Sequence, residues 1–433
     1  MSPSVQPVLH CLRFNQEEFT MMHAAVGFWI LSALICVGRG DHHYGLNHHD
    51  QHTELDTHTN SVSWVTAANK EFAFRLYRKL AAHADSEGKN IFFSPVSVSV
   101  ALAALAVGAR GETHHQLFSG LGFNNTLLTQ SVVDHAFHML MERAHNTSHE
   151  DVSEGTAVFV DNRFKPQPAF LETLRQSYSA DGFNVDFAQT KESADTINKY
   201  VGEKTNGKID KLVESMDPNT VMYLLSYIYY KGKWATPFDT DLTKEDVFMV
   251  DENTKVPVQM MNMEERLDTY YDQAINTSVL HLPFNNSYSM LLLLPDDMAT
   301  LENAICPGHV TKWLKWMKSR TYNIYIPKFS IKSSYNLNDV LQEMGMTDMF
   351  GDRADLSGIS EGQKLAVSEV VHQATLDVDE AGATAAAATG IGITLLSFRH
   401  VPVLKFNRPF MVAITERDTE NILFLGKIIN PTI

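Results

Sequence analysis

The pentapeptide Gly358-Ile359-Ser360-Glu361-Gly362 has the G-x-S-x-G spacing that holds a serine nucleophile exposed on a strained turn in hydrolases. That chemistry needs a strand before the motif and a helix after it. Here Asp352, Arg353, Asp355 and Ser357 precede it, a turn-rich polar stretch, so the sequence predicts a surface loop rather than an esterase. No His-Glu-x-x-His, G-x-x-x-x-G-K-[ST] or G-x-G-x-x-G occurs, which removes the commonest metal, phosphate and dinucleotide signatures. Cys306 stands before Pro307 and Gly308 with no nucleophile signature around it. His42, His43, His48, His49, His52 and His58 crowd the polar stretch 41–60 and could in principle bind metal. Their spacing fixes no geometry and no apolar face holds them rigid, so the stretch reads as a mobile tail. No enzyme activity, metal or cofactor is expected.

Two other segments invite a function. His309 to Arg320 reads as a helix carrying Trp313 and Trp316 among Lys312, Lys315, Lys318 and Arg320. Aromatic and basic residues together can bind a membrane, a nucleic acid or a small ligand. The plainer expectation is that both tryptophans pack inward while the lysines stay solvated. Glu380 to Arg399 is more unusual, with eighteen residues between the two charges that include no charge and no proline. Its alanine-rich first part is too short to hold a helix alone and is bracketed by Gly382 and Gly390. Its second part alternates, placing Ile391, Ile393 and Leu395 on one face. Extended backwards, that face takes in Ala383, Ala385, Ala387 and Thr389. Such a segment can enter the middle of a sheet without burying an unpaired charge or breaking a ladder. It reads equally as a core strand or as an element with an exposed and an inserted state.

The elements that must position these segments follow from hydrophobic periodicity. Val65 to His83, Pro95 to Gly108, Val132 to Ala144, Pro168 to Ser177 and Lys191 to Thr205 read as helices. Thr220 to Lys231, Val279 to Leu282, Ser289 to Leu294, Tyr322 to Ile331, Val370 to Asp377 and Phe410 to Thr415 read as strands. There is no regular alternation, no internal repeat and no linker. The pattern implies a single α+β domain over 65–433, following a tail over 39–64.

Ala24 to Val37 is an apolar run too short to cross a bilayer, which takes about 20 residues. Small residues at Cys36 and Gly38 fit an export signal cleaved near Gly38, with Met21 or Met22 a better start than Met1. The chain is therefore expected to be secreted, without membrane attachment and without an internal disulfide once Cys11 and Cys36 are removed. Secretion gives meaning to the sequons at Asn124, Asn146, Asn276 and Asn285 as N-glycosylation sites. The full chain carries a formal charge of -16, from 35 Lys+Arg against 51 Asp+Glu. That excess argues against nucleic acid, whose binding draws on clustered Lys and Arg, and against anionic lipid.

Four blocks together resemble the serpin family, in its secreted antitrypsin- and antichymotrypsin-like branch. They are Asn90 to Ser97 (NIFFSPVS), Lys231 to Trp234 (KGKW), Phe406 to Phe410 (FNRPF), and Phe424 to Lys427 (FLGK) leading to Asn430 and Pro431. The resemblance runs from about Val65 to Thr432. It implies three β-sheets, eight to nine helices and an exposed reactive-centre loop, which would be Glu380 to Arg399. A serine protease attacks such a loop, forms an acyl-enzyme, and is distorted when the cleaved loop inserts into the large sheet. The partner implied is an extracellular serine protease held covalently by a monomeric inhibitor. The family's count from the hinge glutamate places the reactive bond between Leu396 and Ser397, with Phe398 or Arg399 as alternatives. Leucine there suits chymotrypsin-like or elastase-like enzymes. The resemblance also implies that Glu380 pairs with Lys328 beside Trp234. It further implies that Ser94, Ser97 and His372 form a polar cluster where the sheet opens, with Ser226 where the family usually has Asn. No basic row lies in Glu112 to Leu128, so heparin activation is not expected.

The same branch includes the thyroxine- and corticosteroid-binding globulins, which carry a small hydrophobic hormone and do not inhibit. Tyr325 to Lys328 and Leu341 to Gly345 are about as close to those carriers. The resemblance places the steroid carriers' ligand-stacking Trp at Glu420, and the small-residue hinge is one a carrier does not need. The expectation is therefore an inhibitor, with a hormone carrier as the alternative.

Overall fold

The computed structural model describes residues 50–433 apart from 84–85, 87, 148–151, 363 and 382–400, with side chains of the first helix described from Ser61. The chain begins with α1 (Asp50–Ala82), β1 (Ile91–Phe93), α2 (Pro95–Gly108), α3 (Gly111–Leu121) and α4 (Gln130–Thr147). Next come β2 (Val152–Asp161), α5 (Pro168–Tyr178), β3 (Asp181–Val185), α6 (Thr190–Lys204) and β4 (Met222–Tyr230). A run of strands follows: β5 (Lys244–Met249), β6 (Lys255–Asp272), β7 (Thr277–Pro283) and β8 (Tyr288–Pro295). After α7 (Met298–Ala304) and α8 (Pro307–Trp316) come β9 (Lys318–Pro327), β10 (Phe329–Asn336) and α9 (Asn338–Glu343). The last strands are β11 (Glu369–Val378), β12 (Val403–Lys405), β13 (Phe410–Glu416) and β14 (Ile422–Ile428). None of these helices is long and apolar enough to cross a membrane.

The strands form two sheets among the described residues. A five-stranded sheet has the order β10-β11-β4-β2-β3. A nine-stranded sheet has the order β1-β14-β13-β8-β7-β6-β9-β12, with β5 paired to β6. The expected count of three becomes two because the eighteen-residue β6 joins what would be separate sheets. Its first part pairs β5, its middle pairs β9 and its last part pairs β7.

Helix α2 is the central post. Its composition is apolar nearly all round, and every residue but Val107 is buried. The Ser94 hydroxyl caps its first turn by accepting from the Ser97 N–H at 3.2 Å, and Pro95 follows at a position where no N–H is needed. Truncating a buried leucine such as Leu102 or Leu105 would cost about 2–5 kcal/mol. One apolar cluster surrounds α2, a second fills the space between the two sheets, and a third lies between the five-stranded sheet and α6.

Four sequence expectations are corrected by this architecture. The first helix starts at Asp50, inside the stretch read as a mobile tail, because no Gly or Pro stops it extending from its buried stripe at Phe72 to Leu80. The Trp-bearing helix ends at Trp316 rather than Arg320, since Lys318 to Pro327 pairs along ten positions with β6. Tyr322 to Ile331 is two strands in different sheets, divided at Lys328. The Gly358 to Gly362 loop is not plain surface, because Ile359 and Ser360 are buried. A side chain at Gly108 would collide with Ile359.

Candidate functional site: the hinge and seam of the five-stranded sheet

Neighbours in the five-stranded sheet run antiparallel at β10–β11 and β4–β2, and parallel at β11–β4 and at the edge pair β2–β3. The β11–β4 register runs from Glu369 opposite Tyr223 to Leu376 opposite Tyr230. Every residue of β4 is buried, the pattern of a strand covered on both faces. After Val378 the chain leaves β11 through Asp379, Glu380 and Ala381. A strand formed by the residues that follow, turning back, would run antiparallel to β11 and also to β4. This parallel seam can therefore accept one added strand with favourable pairing on both sides.

The exit from β11 is held at several points. Trp234 Nε1 donates to the Asp379 carbonyl at 2.7 Å, and the Trp234 backbone N–H donates to the Ala381 carbonyl at 3.0 Å. Phe238 N–H donates to the Glu380 carbonyl at 3.1 Å. Trp234 is itself buried and stacked on Phe284. The Glu380 carboxylate is 2.8 Å from Lys328 Nζ and accepts from Thr243 Oγ1 at 2.8 Å. Burial opposes its ionisation, but the Lys328 ammonium and the Thr243 hydroxyl outweigh that and hold its pKa below the ordinary Glu value. Asp379 behaves alike: burial pushes up, and Lys231, at 2.7 Å, brings the pKa below the usual range.

Lower in the seam, His372 and Ser226 are direct partners across β11 and β4. The Ser226 hydroxyl lies 3.0 Å from His372 Nδ1, and the Ser94 backbone N–H donates to His372 Nε2 at 2.9 Å. Accepting at Nε2 places the ring proton on Nδ1, facing Ser226. The Ser94 hydroxyl donates to Ser97 Oγ at 3.0 Å. His372 has no exposed surface, and that burial pushes its pKa down to about 3. The cluster holds serine and histidine in contact, yet both are enclosed and the Nε2 lone pair is already used. It fastens strands and cannot act as a nucleophile–base pair on a substrate.

Gly382, Ala383, Ala385, Ala387, Thr389, Leu396 and Ser397 lie outside the described residues. Of the sequons, Asn124, Asn276 and Asn285 are exposed, while Asn146 lies on α4 with its side chain outside the described set. Asn124 Oδ1 accepts from both the N–H and hydroxyl of Thr126, and Asn276 occupies a turn at φ 44°.

The tryptophans of α8 part company, contrary to the expectation that both pack inward. Trp313 is fully buried and donates to Asp272 at 2.8 Å, whereas Trp316 is 60% exposed with Lys315 beside its ring. Cys306 is disulfide-bonded, which corrects the expectation of a lone thiol; Cys11 and Cys36 lie outside the described residues. Glu420 joins three elements. From the β13–β14 turn it accepts from Lys70 of α1 at 3.1 Å and from Thr311 of α8 at 2.7 Å. Sequence reasoning missed Thr243, the Lys231–Asp379 pair and Glu154, whose carboxylate lies 3.4 Å from Ser97 Oγ. These are ordinary surface residue types, and no local pattern marks them.

Residues 67–431 match the family model described as Serpin (serine protease inhibitor). Serpin A3-2 of Bos taurus is 39% identical over 387 residues, covering 88% of this chain and 92% of that protein. Alpha-1-antiproteinase of Callosciurus caniceps is 38% identical over 412 residues, covering 94% and 98%. Among solved structures, human thyroxine-binding globulin in complex with thyroxine superposes with a TM-score of 0.80 at 34% identity, covering 86% of this chain and all of that one. Human glycosylated kallistatin gives a TM-score of 0.76 at 37% identity, covering 84% and 97%.

Proposed function

Since the chain belongs to the serpin family of serine protease inhibitors, we propose that it is a secreted, glycosylated suicide inhibitor of chymotrypsin-like or elastase-like proteases. The observation that carries the reading is the parallel β11–β4 seam, with a hinge at its top and an uncharged, small-residue loop beyond. In this reading a protease serine attacks the Leu396 carbonyl, the bond to Ser397 breaks, and Ser397 leaves with a new amino terminus. The acyl-linked segment then enters the seam, with Ala383, Ala385, Ala387 and Thr389 as small residues on one face. The inhibitor is consumed in one turn and acts as a monomer outside the cell.

The similarity to a thyroxine-bound structure supports a second reading, a hormone carrier. Where the resemblance puts the steroid carriers' stacking Trp, this chain has the Glu420 carboxylate, ion-paired to Lys70 and hydrogen-bonded by Thr311, tying α1 to α8, which weighs against a steroid. Mixing the purified chain with chymotrypsin separates the readings. An inhibitor gives a covalent complex that survives SDS and boiling, with a released peptide starting at Ser397. Cleavage without a complex would sink the inhibitor reading.

A further inference from the structure

Two polar side chains of β11 are buried at the seam without a partner. Gln373 and Thr375 are 1% and 6% exposed, and neither Gln373 Nε2 nor Thr375 Oγ1 meets a hydrogen-bonding group among the described residues. Side chains alternate along β11, so these two share a face with Val371, while Ala374 and Leu376 point into the cluster between the two sheets. On the outer face Val371 packs with Tyr223, Leu225 and Tyr227 of β4 under the stretch that follows α6. Across the seam Gln373 is opposite Tyr227, and Thr375 is opposite Tyr229. Both tyrosine hydroxyls are turned elsewhere. Tyr229 donates to Asp377 at 2.9 Å, and the Tyr227 hydroxyl lies against Gly155 of β2. On the other flank Lys332 of β10 is opposite Thr375, but its ammonium reaches Asp210 at 3.6 Å.

The cover over this face is fastened on both sides of the seam. Asn198 of α6 accepts from the Leu212 and Val213 N–H groups at 2.7 and 3.1 Å and donates to the Val213 carbonyl at 2.7 Å, which binds the stretch after α6 to that helix. Helix α6 stands on β2 and β3, with Tyr200 edge-on to Phe159 and Phe183. Ile209 and Met216 of the stretch join the apolar cluster of the outer face, and Lys208 lies over the ring of Tyr229. Asp210, between them, is paired with Lys332 on β10, beyond β11. A strand entering between β11 and β4 moves these two attachments apart by one strand spacing, about 4.8 Å. The exposed Asp210–Lys332 pair then parts, the stretch lifts from β11, and water reaches Gln373 and Thr375.

We infer that Gln373 and Thr375 bias the five-stranded sheet toward opening, because they lack hydrogen bonds only while the seam is closed. The inference rests on the proposed loop insertion and deepens it. A buried polar group without a partner has given up its water and gained no bond in exchange, a cost that an apolar side chain of the same shape does not carry. The closed and open sheets therefore differ in how well these two residues are satisfied, and the difference favours the open one. On the opposite face of the same strand His372, bonded to Ser226 and Ser94, acts the other way and holds the seam shut.

The test uses an N-acetylated synthetic peptide spanning Glu380 to Ile393, whose incorporation into the intact protein is timed at neutral pH. Thr375→Val, which keeps the shape and drops the hydroxyl, should slow incorporation by about tenfold and raise the melting temperature. Gln373→Met should act in the same direction, and the double variant should be slower than either. Thr375→Ser, which keeps the hydroxyl, should be no slower than the wild type. If Thr375→Val and Gln373→Met take up the peptide at the wild-type rate, or melt below the wild type, the assignment is overturned while the loop-insertion reading stands. If the peptide does not enter the wild type, the loop-insertion reading falls and this inference with it.

Discussion

Lys328 Nζ stands 2.8 Å from Glu380 Oε2 at the point where the chain crosses from β9 in one sheet to β10 in the other. Pro327, which has no N–H, ends the first strand, and the Lys328 N–H turns to the Gln259 carbonyl of β6 at 2.8 Å. The break that sequence periodicity glosses over thus aims the ammonium at the hinge.

Removing that contact should free the hinge. Glu380→Ala is expected to speed loop-peptide incorporation by about tenfold, the scale of a charge-assisted bond of roughly 1.5 kcal/mol. Because Glu380 has a lowered pKa, its contribution to stability is present above the ordinary Glu value and disappears as pH falls through the folded one. Melting temperatures compared at pH 7 and pH 3 should show the variant losing less on acidification; an equal loss would remove Glu380 from the account.

The loop can be re-aimed and disabled separately. Leu396→Arg should exchange the chymotrypsin complex for a trypsin complex, with inhibition of chymotrypsin falling by about 100-fold, as expected for a hydrophobic specificity pocket offered a charge. Ala387→Arg should leave cleavage intact and abolish the complex, because insertion would bury an unpaired guanidinium at a cost of several kcal/mol. SDS gels with N-terminal sequencing of the released peptide read both outcomes. A stable complex from Ala387→Arg would contradict the insertion register.

Cutting the seam's central bond should weaken the fold. Ser226→Ala leaves the His372 Nδ1–H without its hydroxyl partner, at about 1–3 kcal/mol, readable as a shift of the denaturant midpoint. His372 itself has a lowered pKa, so its contribution is complete above about 6.5 and fades as pH falls toward about 3. NMR should find its ring neutral between pH 5 and 8, and a titration near 6.5 would show that it is open to water.

Hormone binding is open to a direct check. Thyroxine or cortisol at micromolar concentration should leave the fluorescence of Trp313 and Trp316 unchanged. Saturable quenching would favour the carrier reading. Glu420→Trp, which breaks the tie between Lys70 and Thr311, is the variant in which binding is expected to appear first.

Much of the fold was legible in the chain. The apolar run Pro95 to Gly108 gave its own helix, and the core strands Met222–Tyr230 and Glu369–Val378 showed their β-branched and aromatic content. Of the site, the Lys328–Glu380 contact was legible through the family resemblance, while the loop after Glu380 lies outside the described residues. The rest was not legible where it depends on residues distant in sequence meeting in space. Thr243 reaches Glu380 across 137 positions and Glu154 reaches Ser97 across 57. Trp316 shows the converse limit. Its spacing from Trp313 suits a shared apolar face, yet β9 starts two residues later and leaves its ring in solvent.

The parallel pairing of β11 with β4 has a consequence for how long the molecule lasts. If the proposed insertion occurs, a sheet that gains two antiparallel contacts by taking in its own loop does not rest at its lowest free energy. Its endurance is then set by the height of a barrier, and its working life in solution is a rate that shortens steeply with warming. Two preparations with identical unfolding midpoints could age at different speeds, and Lys328, through its grip on Glu380 at the hinge, would act on the ageing.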